Sequence, residues 1–483
     1  MASAVSPSSK FFERHEIRIV LGLLAVFLAF NILTAPFSPD AWLDEVSYSE
    51  PAATLAMTGH LSSHAWGDQT TPVWTGNAPL HQLLLAGVIK VFGFNYRTVR
   101  GINMVYFTLA VLLLYLMVRK HELIRSPANR LLFTIVLLFG TGLVAVYRNG
   151  RYDALGLVLI VFWAWCSLLS RKMPAFLIGT FVAAVLMPTA SLNIAPFLML
   201  CGLAAFILWR WKTLFALGTT GIGCLTGMAI MQLAYAHYGV PHVYHEIMKA
   251  SGGRDIWGDF ILSVFKNPSY VAAVAGGCLI VFPLLRRQFQ ENLAVNRIAL
   301  LLLLMAVALP IIMMAIAKYE LYYTWMAIIP GTVAAFMALE FRSVPKSVRM
   351  LTLCLILVAT LPGFPRRCAR IAGSWAQQRP GKIAAAVHKD VTSADVAFVS
   401  EPSALVYYAL LPAVRDSFWL NPPSQENIKS SINVVFWPEP GQQSEIHNLF
   451  GGEWRQTDDV AFAQKSSRLI SDGPVHFVVY RRV

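Results

Sequence analysis

The sequence predicts a polytopic α-helical membrane protein with a C-terminal α/β soluble domain, and two observations lead to this class. Of its 483 residues, 56% are hydrophobic and only 13% are charged, whereas a soluble globular chain carries about 25% charged residues. Long apolar runs fill the chain up to residue 365, and the rest has ordinary polarity. We therefore expect a membrane domain over residues 1–365 and a soluble domain over residues 366–483.

The net charge of +13 does not indicate a nucleic-acid partner. The basic residues recur in short clusters between apolar runs, which is the pattern of membrane topology and not of one basic groove. The six cysteines have neither the spacing of a zinc site nor that of a disulfide framework. Since no cysteine follows Cys368, the soluble domain is expected to fold without disulfides.

The apolar runs are long enough to be transmembrane helices, because a helix needs about 20 mostly apolar residues to cross the hydrocarbon core. About eleven such spans are expected on this criterion. Their centres lie near Leu24, Phe107, Val136, Leu159, Ala183, Leu200, Gly223, Gly276, Met305, Ile329 and Leu355.

Lysine and arginine residues occur in every second loop, and the positive-inside rule assigns those loops to the cytosol. Arg14, Arg125, Lys172 and Arg349 belong to this set. The N-terminus is therefore predicted to be cytosolic, and an odd number of spans places the C-terminal domain in the periplasm of a bacterial inner membrane. A cleaved signal peptide is the alternative for the first run, but Pro36, just after a weak cleavage pattern, favours an uncleaved anchor.

Three segments are predicted outside the cytosol. The first, residues 36–98, contains two amphipathic stretches, one beginning near Trp42 and one from Pro79 to Phe92, whose aromatic residues suit a membrane–water boundary. The second, residues 237–268, is rich in His, Tyr and Gly. The third is the soluble domain, in which β-like runs at 395–399, 432–436 and 475–480 alternate with helical patterns at 382–388 and 403–410, as in a small α/β domain.

Asp44 and Glu45 are adjacent carboxylates directly after the first predicted span. A carboxylate near hydrocarbon is costly unless it is paired or serves a function. A carboxylate at this position can accept a proton from a hydroxyl group. The alternative is an exposed pair on an interfacial helix.

Arg148, Arg151 and Asp153 occupy a very short predicted outside loop, where the positive-inside rule disfavours arginine. The planar guanidinium group can donate two parallel hydrogen bonds to a phosphate. These arginines are candidates for phosphate binding. The alternative is that they extend toward lipid headgroups.

Lys318, Glu320, Tyr322 and Tyr323 form a third cluster, predicted between two spans on the same side. A lysine with neighbouring tyrosines can hold an anionic headgroup through charge and hydroxyl donors. The alternative is an aromatic belt. Together, the three clusters place a base and several phosphate-binding groups on one face of the membrane.

A divalent cation is a further hypothesis, since several histidines lie in the predicted outside segments together with carboxylates. None of these histidines has the spacing of a known metal motif on a helix. His242 and His245 are the candidate ligands, and the sequence alone does not decide whether they bind a metal.

The motifs resemble those of the GT-C membrane glycosyltransferases, in the branch with protein O-mannosyltransferases and lipid A aminoarabinose transferases. The similarity covers residues 10–365. It rests on Leu43-Asp44-Glu45-Val46-x-Tyr48-x-Glu50, Ala78-Pro79-Leu80-His81, Arg97-x-x-Arg100, Arg151-Tyr152-Asp153 and Lys318 through Tyr323.

The resemblance implies an inverting glycosyltransferase that moves a sugar from a polyprenyl-phosphate carrier to a lipid, glycan or protein acceptor. It implies Asp44 as the base, with Glu45 assisting. Phosphate binding would fall to Arg148, Arg151, Lys318, Tyr322 and Tyr323. Contacts with the acceptor or the sugar would fall to Tyr48, His81, Asp153 and Glu320.

The sequence departs from this branch in two places. Gly76-Asn77 stand where the aminoarabinose enzymes have Glu-Lys, and the oligosaccharyltransferase motif Trp-Trp-Asp-Tyr-Gly does not occur. A transporter or flippase of a lipid-linked or anionic substrate is the alternative function, although no paired halves are evident. A non-catalytic assembly protein would leave the three clusters without a role.

Overall fold

The computed structural model describes residues 7–41, 43–63, 78–170, 172–234, 267–285, 293–315, 323–419, 422–423, 425–462 and 475–483. We number its α-helices in chain order over these residues. The first group is α1 Pro7–Thr34, α2 Leu43–Thr58, α3 Pro79–Phe92, α4 Tyr96–Lys120, α5 Pro127–Phe139, α6 Val144–Tyr147, α7 Asp153–Ser170, α8 Phe176–Ala190, α9 Ala195–Trp209 and α10 Leu214–Ala234.

The second group follows the segment 235–266. It consists of α11 Pro268–Gly277, α12 Val281–Leu285, α13 Leu293–Ala315, α14 Trp325–Ala338, α15 Lys346–Thr360, α16 Gly363–Ala376, α17 Arg379–Asp390, α18 Tyr407–Leu410, α19 Glu426–Ser431 and α20 Gln443–Phe450. Short 3₁₀ helices join several of them, including Ala35–Phe37 after α1 and Glu401–Val406 before α18.

The protein is a multi-pass α-helical membrane protein. In the part of the chain that the structure describes, seven helices are long and apolar enough to cross a membrane, or eight when the bent pair Pro127–Phe139 and Thr141–Tyr147 is taken as one span. Every predicted span centre lies in an apolar helix. The predicted total of about eleven is reached only by counting α9 and α10 separately and adding two short apolar helices, α8 and α14.

Close helix packing in the bundle depends on small residues, as is usual in membranes. At Gly223 in α10, an added Cβ would lie 2.7 Å from the Ala184 Cβ of α8. Helix α14 is buried along its whole length, and it packs against α11 and α13. The buried α14 and the α8–α10 contact belong to the core of the membrane domain.

Charged groups anchor one end of the bundle. The Arg130 guanidinium donates to the Glu16 carboxylate at 2.6 and 2.7 Å, and Arg119 lies 4.0 Å from the same carboxylate. The Glu340 carboxylate accepts from the backbone N–H groups of Arg125 at 2.6 Å and Ser126 at 2.8 Å. These contacts lie near the start of α1, whereas the groups described below lie at its other end.

Helices α2 and α3 coincide with the two predicted amphipathic stretches. Asp44 and Glu45 lie in the first turn of α2, where negative charge is favoured by the helix dipole. Helix α3 begins with Pro79 and ends before Gly93, whose φ of +74° suits glycine. The two helices pack on each other and lie between the end of α1 and the C-terminal domain.

The C-terminal part contains a five-stranded mixed sheet with strand order β2-β1-β3-β5-β4. Strand β1 is parallel to β2 and β3, and β5 is antiparallel to β3 and β4. The predicted α/β domain is confirmed, and its three predicted strands correspond to β1, β3 and β5, whereas β2 and β4 were not predicted. The strands are β1 Val396–Val399, β2 Asp416–Trp419, β3 Val434–Trp437, β4 Trp454–Phe462 and β5 Val475–Arg482.

The sheet shares a hydrophobic core with the membrane-proximal helices. On one face, Val434 and Val479 belong to the same buried cluster as Val46 of α2 and Leu85 of α3. The other face packs on α20 through Phe450. The predicted domain boundary at residues 365 and 366 falls inside α16 and stays a prediction.

Candidate active site

Asp44 and Arg151 meet at the end of the bundle where α1 finishes. The Arg151 Nη1 group donates a hydrogen bond to the Asp44 carboxylate, although the two residues lie 107 positions apart. The Asp44 side chain is 25% exposed, whereas the Arg151 side chain is 2% exposed. Asp44 is therefore the accessible member of this ion pair.

Arg151 is surrounded by groups that fix its orientation. Its Nε donates to the Asp153 carboxylate at 2.8 Å. Its guanidinium carbon lies 5.3 Å from the ring centre of Tyr48, 5.5 Å from that of Tyr152 and 5.7 Å from that of Tyr323. Cation–π contacts of this length contribute about 0.5–2 kcal/mol each. The arginine is held by two carboxylates and three aromatic rings.

Asn193 joins two of these rings. Its Nδ2 group donates to the Tyr323 hydroxyl at 2.6 Å and to the Tyr152 hydroxyl at 2.9 Å. Burial raises the pKa of the Tyr323 phenol well above its usual range, so the group stays protonated. Sequence reasoning missed Asn193 as a site residue, although a polar residue where an apolar run breaks after Pro188 is a usable signal.

The turn that carries the arginines is tied to its neighbours through its backbone. Asn103 of α4 donates to the carbonyl oxygen of Asn149 at 2.6 Å and also to that of Arg151. At Gly150 an added Cβ would lie 2.9 Å from a Val99 methyl carbon and 3.0 Å from the Glu45 Cγ. A larger residue would push this turn away from α2 and α4, so glycine permits the close approach.

Glu45 lies next to Asp44 in sequence but is completely buried. Arg100 donates to its two carboxylate oxygens, from Nε at 2.7 Å and from Nη2 at 2.6 Å. The hydroxyl of Tyr408, in the C-terminal domain, donates to one of the same oxygens at 2.5 Å. Arg100 Nη1 also donates to the carbonyl oxygens of Ala35 and Pro39, both at 2.7 Å. The Glu45 carboxylate is therefore occupied by two side chains of the protein itself, Arg100 and Tyr408.

The Arg148 side chain contacts the end of α1 and the turn after it, and it is fully buried. Its Nε donates to the Ser38 carbonyl oxygen at 2.9 Å, and Nη2 to those of Ser38 at 2.6 Å and Thr34 at 2.9 Å. Its Nη1 donates to Asn31 Oδ1 at 2.7 Å and Thr34 Oγ1 at 3.1 Å. A guanidinium group has five N–H donors, and these contacts use all of them.

His81 and Tyr48 are buried next to the Asp44–Arg151 pair and do not line an open cleft. His81 Nε2 donates to the Gly150 carbonyl oxygen at 3.1 Å, and His81 Nδ1 is buried with no hydrogen-bond partner. Burial lowers the pKa of His81 to about 4, so the ring is neutral. Gln82 donates to the Tyr48 carbonyl oxygen at 2.8 Å and thereby links α3 to α2.

Several predicted residues lie outside the described part of the chain, and the structure gives no account of them. They are Lys318, Glu320, Tyr322, His242 and His245.

The residues that the structure describes contain no group of three or more His, Cys, Asp or Glu side chains that could hold a metal ion. The nearby carboxylates of Asp44, Asp153 and Glu45 each pair with an arginine.

A cavity of about 1100 Å³ lies between α1, α3, α4 and the α16–α17 segment. Its walls include Phe37, Phe92, Val105 and Trp375, and Arg97 also lines it. Trp375 stacks on Phe37 with ring centres 5.5 Å apart and planes 7° apart. The cavity is mostly apolar and is large enough for part of a lipid chain.

The fold and the site define a multi-pass membrane protein with the GT-C fold, in which a carboxylate–arginine pair lies at one end of the bundle. The chain is similar to the solved structure of ArnT, a lipid A aminoarabinose transferase, from Cupriavidus metallidurans bound to undecaprenyl phosphate. The TM-score is 0.63 at 10% sequence identity, and the similarity covers 96% of this chain and 98% of that one.

The apo structure of the same ArnT gives a TM-score of 0.60 at 10% identity, with the same coverage of both chains. No family model and no curated protein matches the sequence. The resemblance to the GT-C membrane glycosyltransferases is confirmed at the level of the fold.

Proposed function

We propose that this protein is an inverting glycosyltransferase that moves a sugar from a polyprenyl-phosphate carrier to an acceptor hydroxyl group on the extracytosolic face of the membrane. The observation that carries the proposal is the contact between Asp44, a partly exposed carboxylate, and the buried Arg151. The GT-C fold and the undecaprenyl phosphate bound to the similar ArnT support a lipid-phosphate donor.

In the proposed reaction, the acceptor hydroxyl oxygen attacks the anomeric carbon of the sugar while Asp44 accepts the proton of that hydroxyl group. The bond between that carbon and the phosphate oxygen breaks, and its electron pair remains on the phosphate. Attack from the face opposite the phosphate inverts the anomeric configuration. The products are a glycoside and the free polyprenyl phosphate.

Arg151 is the described residue best placed to neutralise the phosphate as it leaves. Asp153 and the three tyrosine rings hold it, so little reorganisation is needed during the reaction. Tyr323 joins it through a hydrogen bond of 3.4 Å. We propose that Lys318 and Tyr322 assist, because they lie within the five residues before Tyr323, and that Glu320 contacts the sugar or the acceptor.

We propose two roles that differ from those predicted from sequence. We assign Arg148 to positioning, since all of its donors bind the end of α1, and not to the donor phosphate. We likewise assign Glu45 to positioning, because its carboxylate is buried against Arg100. Tyr48, His81 and Asp153 support Arg151 and its turn from below, so we expect their effect on sugar or acceptor binding to be indirect.

We propose that the lipid portion of a substrate occupies the cavity between α1, α3, α4 and α16–α17. The partners are then a lipid-linked sugar, membrane lipids and a lipid, glycan or protein acceptor. The charge distribution of the loops supports a bacterial inner membrane with a cytosolic N-terminus and a periplasmic C-terminal domain. A transporter is less well supported, because the described site lies at one end of the bundle and not near its middle.

The test uses the full-length protein purified into lipid nanodiscs. Radiolabelled undecaprenyl-phosphate sugars are added with a membrane extract, and labelled products are separated by chromatography. We expect transfer by the wild type and none by Asp44→Asn, with equal abundance of both proteins. Asp459→Asn is the matched control, because Asp459 is an exposed aspartate on β4 of the C-terminal domain. Full transfer by Asp44→Asn would remove the assigned base.

A further inference from the structure

Two hydroxyl groups on one turn of the C-terminal domain contact the helix that carries Asp44. This turn, α18, follows β1 and the 3₁₀ helix Glu401–Val406. Its hydroxyl groups reach α2 at two points. Tyr408 donates to the Glu45 carboxylate at 2.5 Å, and the Tyr407 hydroxyl lies 2.9 Å from Ser49 Oγ.

The ring of Tyr408 is fixed by aromatic neighbours from the membrane domain. Its centre lies 3.7 Å from that of Tyr96 and 5.3 Å from that of Phe94. The Tyr96 hydroxyl in turn donates to the Leu405 carbonyl oxygen at 3.4 Å. These contacts therefore fix the orientation of the Tyr408 side chain, with its hydroxyl group hydrogen-bonded to Glu45.

Glu45 and Asp44 are neighbours in the first turn of α2, so a contact that holds one of them restricts the other. Successive residues of an α-helix point about 100° apart around the axis. If Glu45 is held, α2 cannot rotate about its own axis, and the Asp44 side chain keeps its direction. Tyr408 from the C-terminal domain and Arg100 from α4 hold the Glu45 carboxylate from different parts of the chain.

We propose that the C-terminal domain contributes to the active site. Its Tyr408 is a positioning residue that acts on Asp44 through Glu45. This inference rests on the proposed function, because it takes Asp44 as the base. It gives the C-terminal domain a role in the rate of transfer. Donor binding is left to Arg151 and its neighbours.

The main test compares Tyr408→Phe with Tyr407→Phe in full-length protein. Each change removes one oxygen atom and keeps the packed ring, and only Tyr408 contacts Glu45. For Tyr408→Phe we expect kcat for transfer from the radiolabelled undecaprenyl-phosphate sugar to fall about 10- to 100-fold, the size of effect that a small misplacement causes. Tyr407→Phe should stay within about twofold of the wild type.

Donor affinity separates positioning from general damage. Binding of undecaprenyl phosphate, measured by native mass spectrometry, should change less than about twofold in either variant, because Arg151 is not touched. Equal losses of kcat in the two variants, or a parallel loss of donor affinity, would overturn the proposal. A lower thermal stability with unchanged kcat would show that the contact is structural only.

A double mutant tests whether Tyr408 acts through Glu45. Adding Tyr408→Phe to Glu45→Gln should cause almost no further loss of kcat, because contacting residues are not additive. Independent, multiplying losses would contradict the proposed route. If Glu45→Gln does not accumulate, Glu45→Asp replaces it, since the shorter carboxylate cannot keep both partners in place.

Hydrogen–deuterium exchange gives a measurement that does not depend on turnover. Tyr408→Phe should raise exchange at the amides of residues 43–47, and Tyr407→Phe should not. The Asp44→Asn result distinguishes the two proposals. If that variant is active, the proposed function fails. If it is inactive while Tyr408→Phe matches the wild type in kcat and exchange, only this inference fails.

Discussion

The Asp44 carboxylate accepts a hydrogen bond from Arg151, and this contact joins the first turn of α2 to the turn before α7. It brings an accessible acid next to a buried cation at the end of α1. In the proposed reaction, proton removal by Asp44 and neutralisation of the leaving phosphate by Arg151 would take place next to each other.

Arg151→Lys should abolish most of the activity. A lysine cannot donate to Asp44 and Asp153 at the same time with planar geometry, so it changes the position of both carboxylates. We expect at least about a 100-fold loss of kcat/KM, which corresponds to about 2.7 kcal/mol, together with weaker binding of undecaprenyl phosphate. Arg455→Lys, on the exposed face of β4, is the control and should behave as the wild type. Near-normal donor binding by Arg151→Lys would contradict the assigned phosphate contact.

Arg148→Gln should lower stability and leave donor binding intact in the protein that folds. The change removes most of the hydrogen bonds that cap the end of α1 and leaves buried carbonyl oxygens unpaired, at a cost of about 1–3 kcal/mol each. Thermal unfolding followed by size-exclusion fluorescence measures the stability, and native mass spectrometry measures undecaprenyl phosphate binding. Loss of undecaprenyl phosphate binding at unchanged stability would show that Arg148 does contact the donor phosphate.

Stability should fall below neutral pH because of His81. Burial lowers its pKa from 6.5 to about 4, so between these values the unfolded chain binds a proton that the folded chain does not. The contribution is complete above pH 6.5 and decreases as the pH falls, by about 1.4 kcal/mol per pH unit.

The control for this pH effect is His81→Gln, whose amide can still donate to the Gly150 carbonyl oxygen but does not titrate. Tm is measured for both proteins at about pH 7.5 and about pH 5. The wild type should lose more than the variant over this interval. Equal losses would show that other groups cause the acid sensitivity.

Filling the cavity between α1, α3, α4 and α16–α17 should weaken the binding of a lipid substrate. Val105 lines this cavity on α4 and is 39% exposed, so Val105→Trp adds volume without breaking a buried contact. We expect KM for the undecaprenyl-phosphate sugar or for a lipid acceptor to rise about tenfold with little change in kcat. Leu225→Trp on α10 is the control, since Leu225 is exposed and does not line the cavity. Unchanged KM for both substrates would place the lipid chain elsewhere.

The fold was largely predictable because its main signals are local. Apolar runs indicate spans without reference to other parts of the chain, and the two amphipathic stretches became α2 and α3 with Pro79 and Phe92 as the ends of the second. Strand β4 was not predicted, because the prediction relied on the same local apolar signals. It is an edge strand with alternating exposed positions and two adjacent aspartates, Asp458 and Asp459, so it lacks the apolar run that marked β1, β3 and β5.

The sequence by itself determined the class of this protein: a helical membrane domain, an α/β domain after it, and acidic and basic clusters in the loops. The tertiary structure decided which of these groups meet. In it, Asp44 forms an ion pair with Arg151. Glu45 instead binds Arg100 and Tyr408. Arg148 donates its hydrogen bonds to the end of α1. The physical reason is that hydrogen bonds depend on atoms lying within about 3 Å of one another. Such distances follow from how helices rotate and pack, and the pattern of residues along the chain does not contain them.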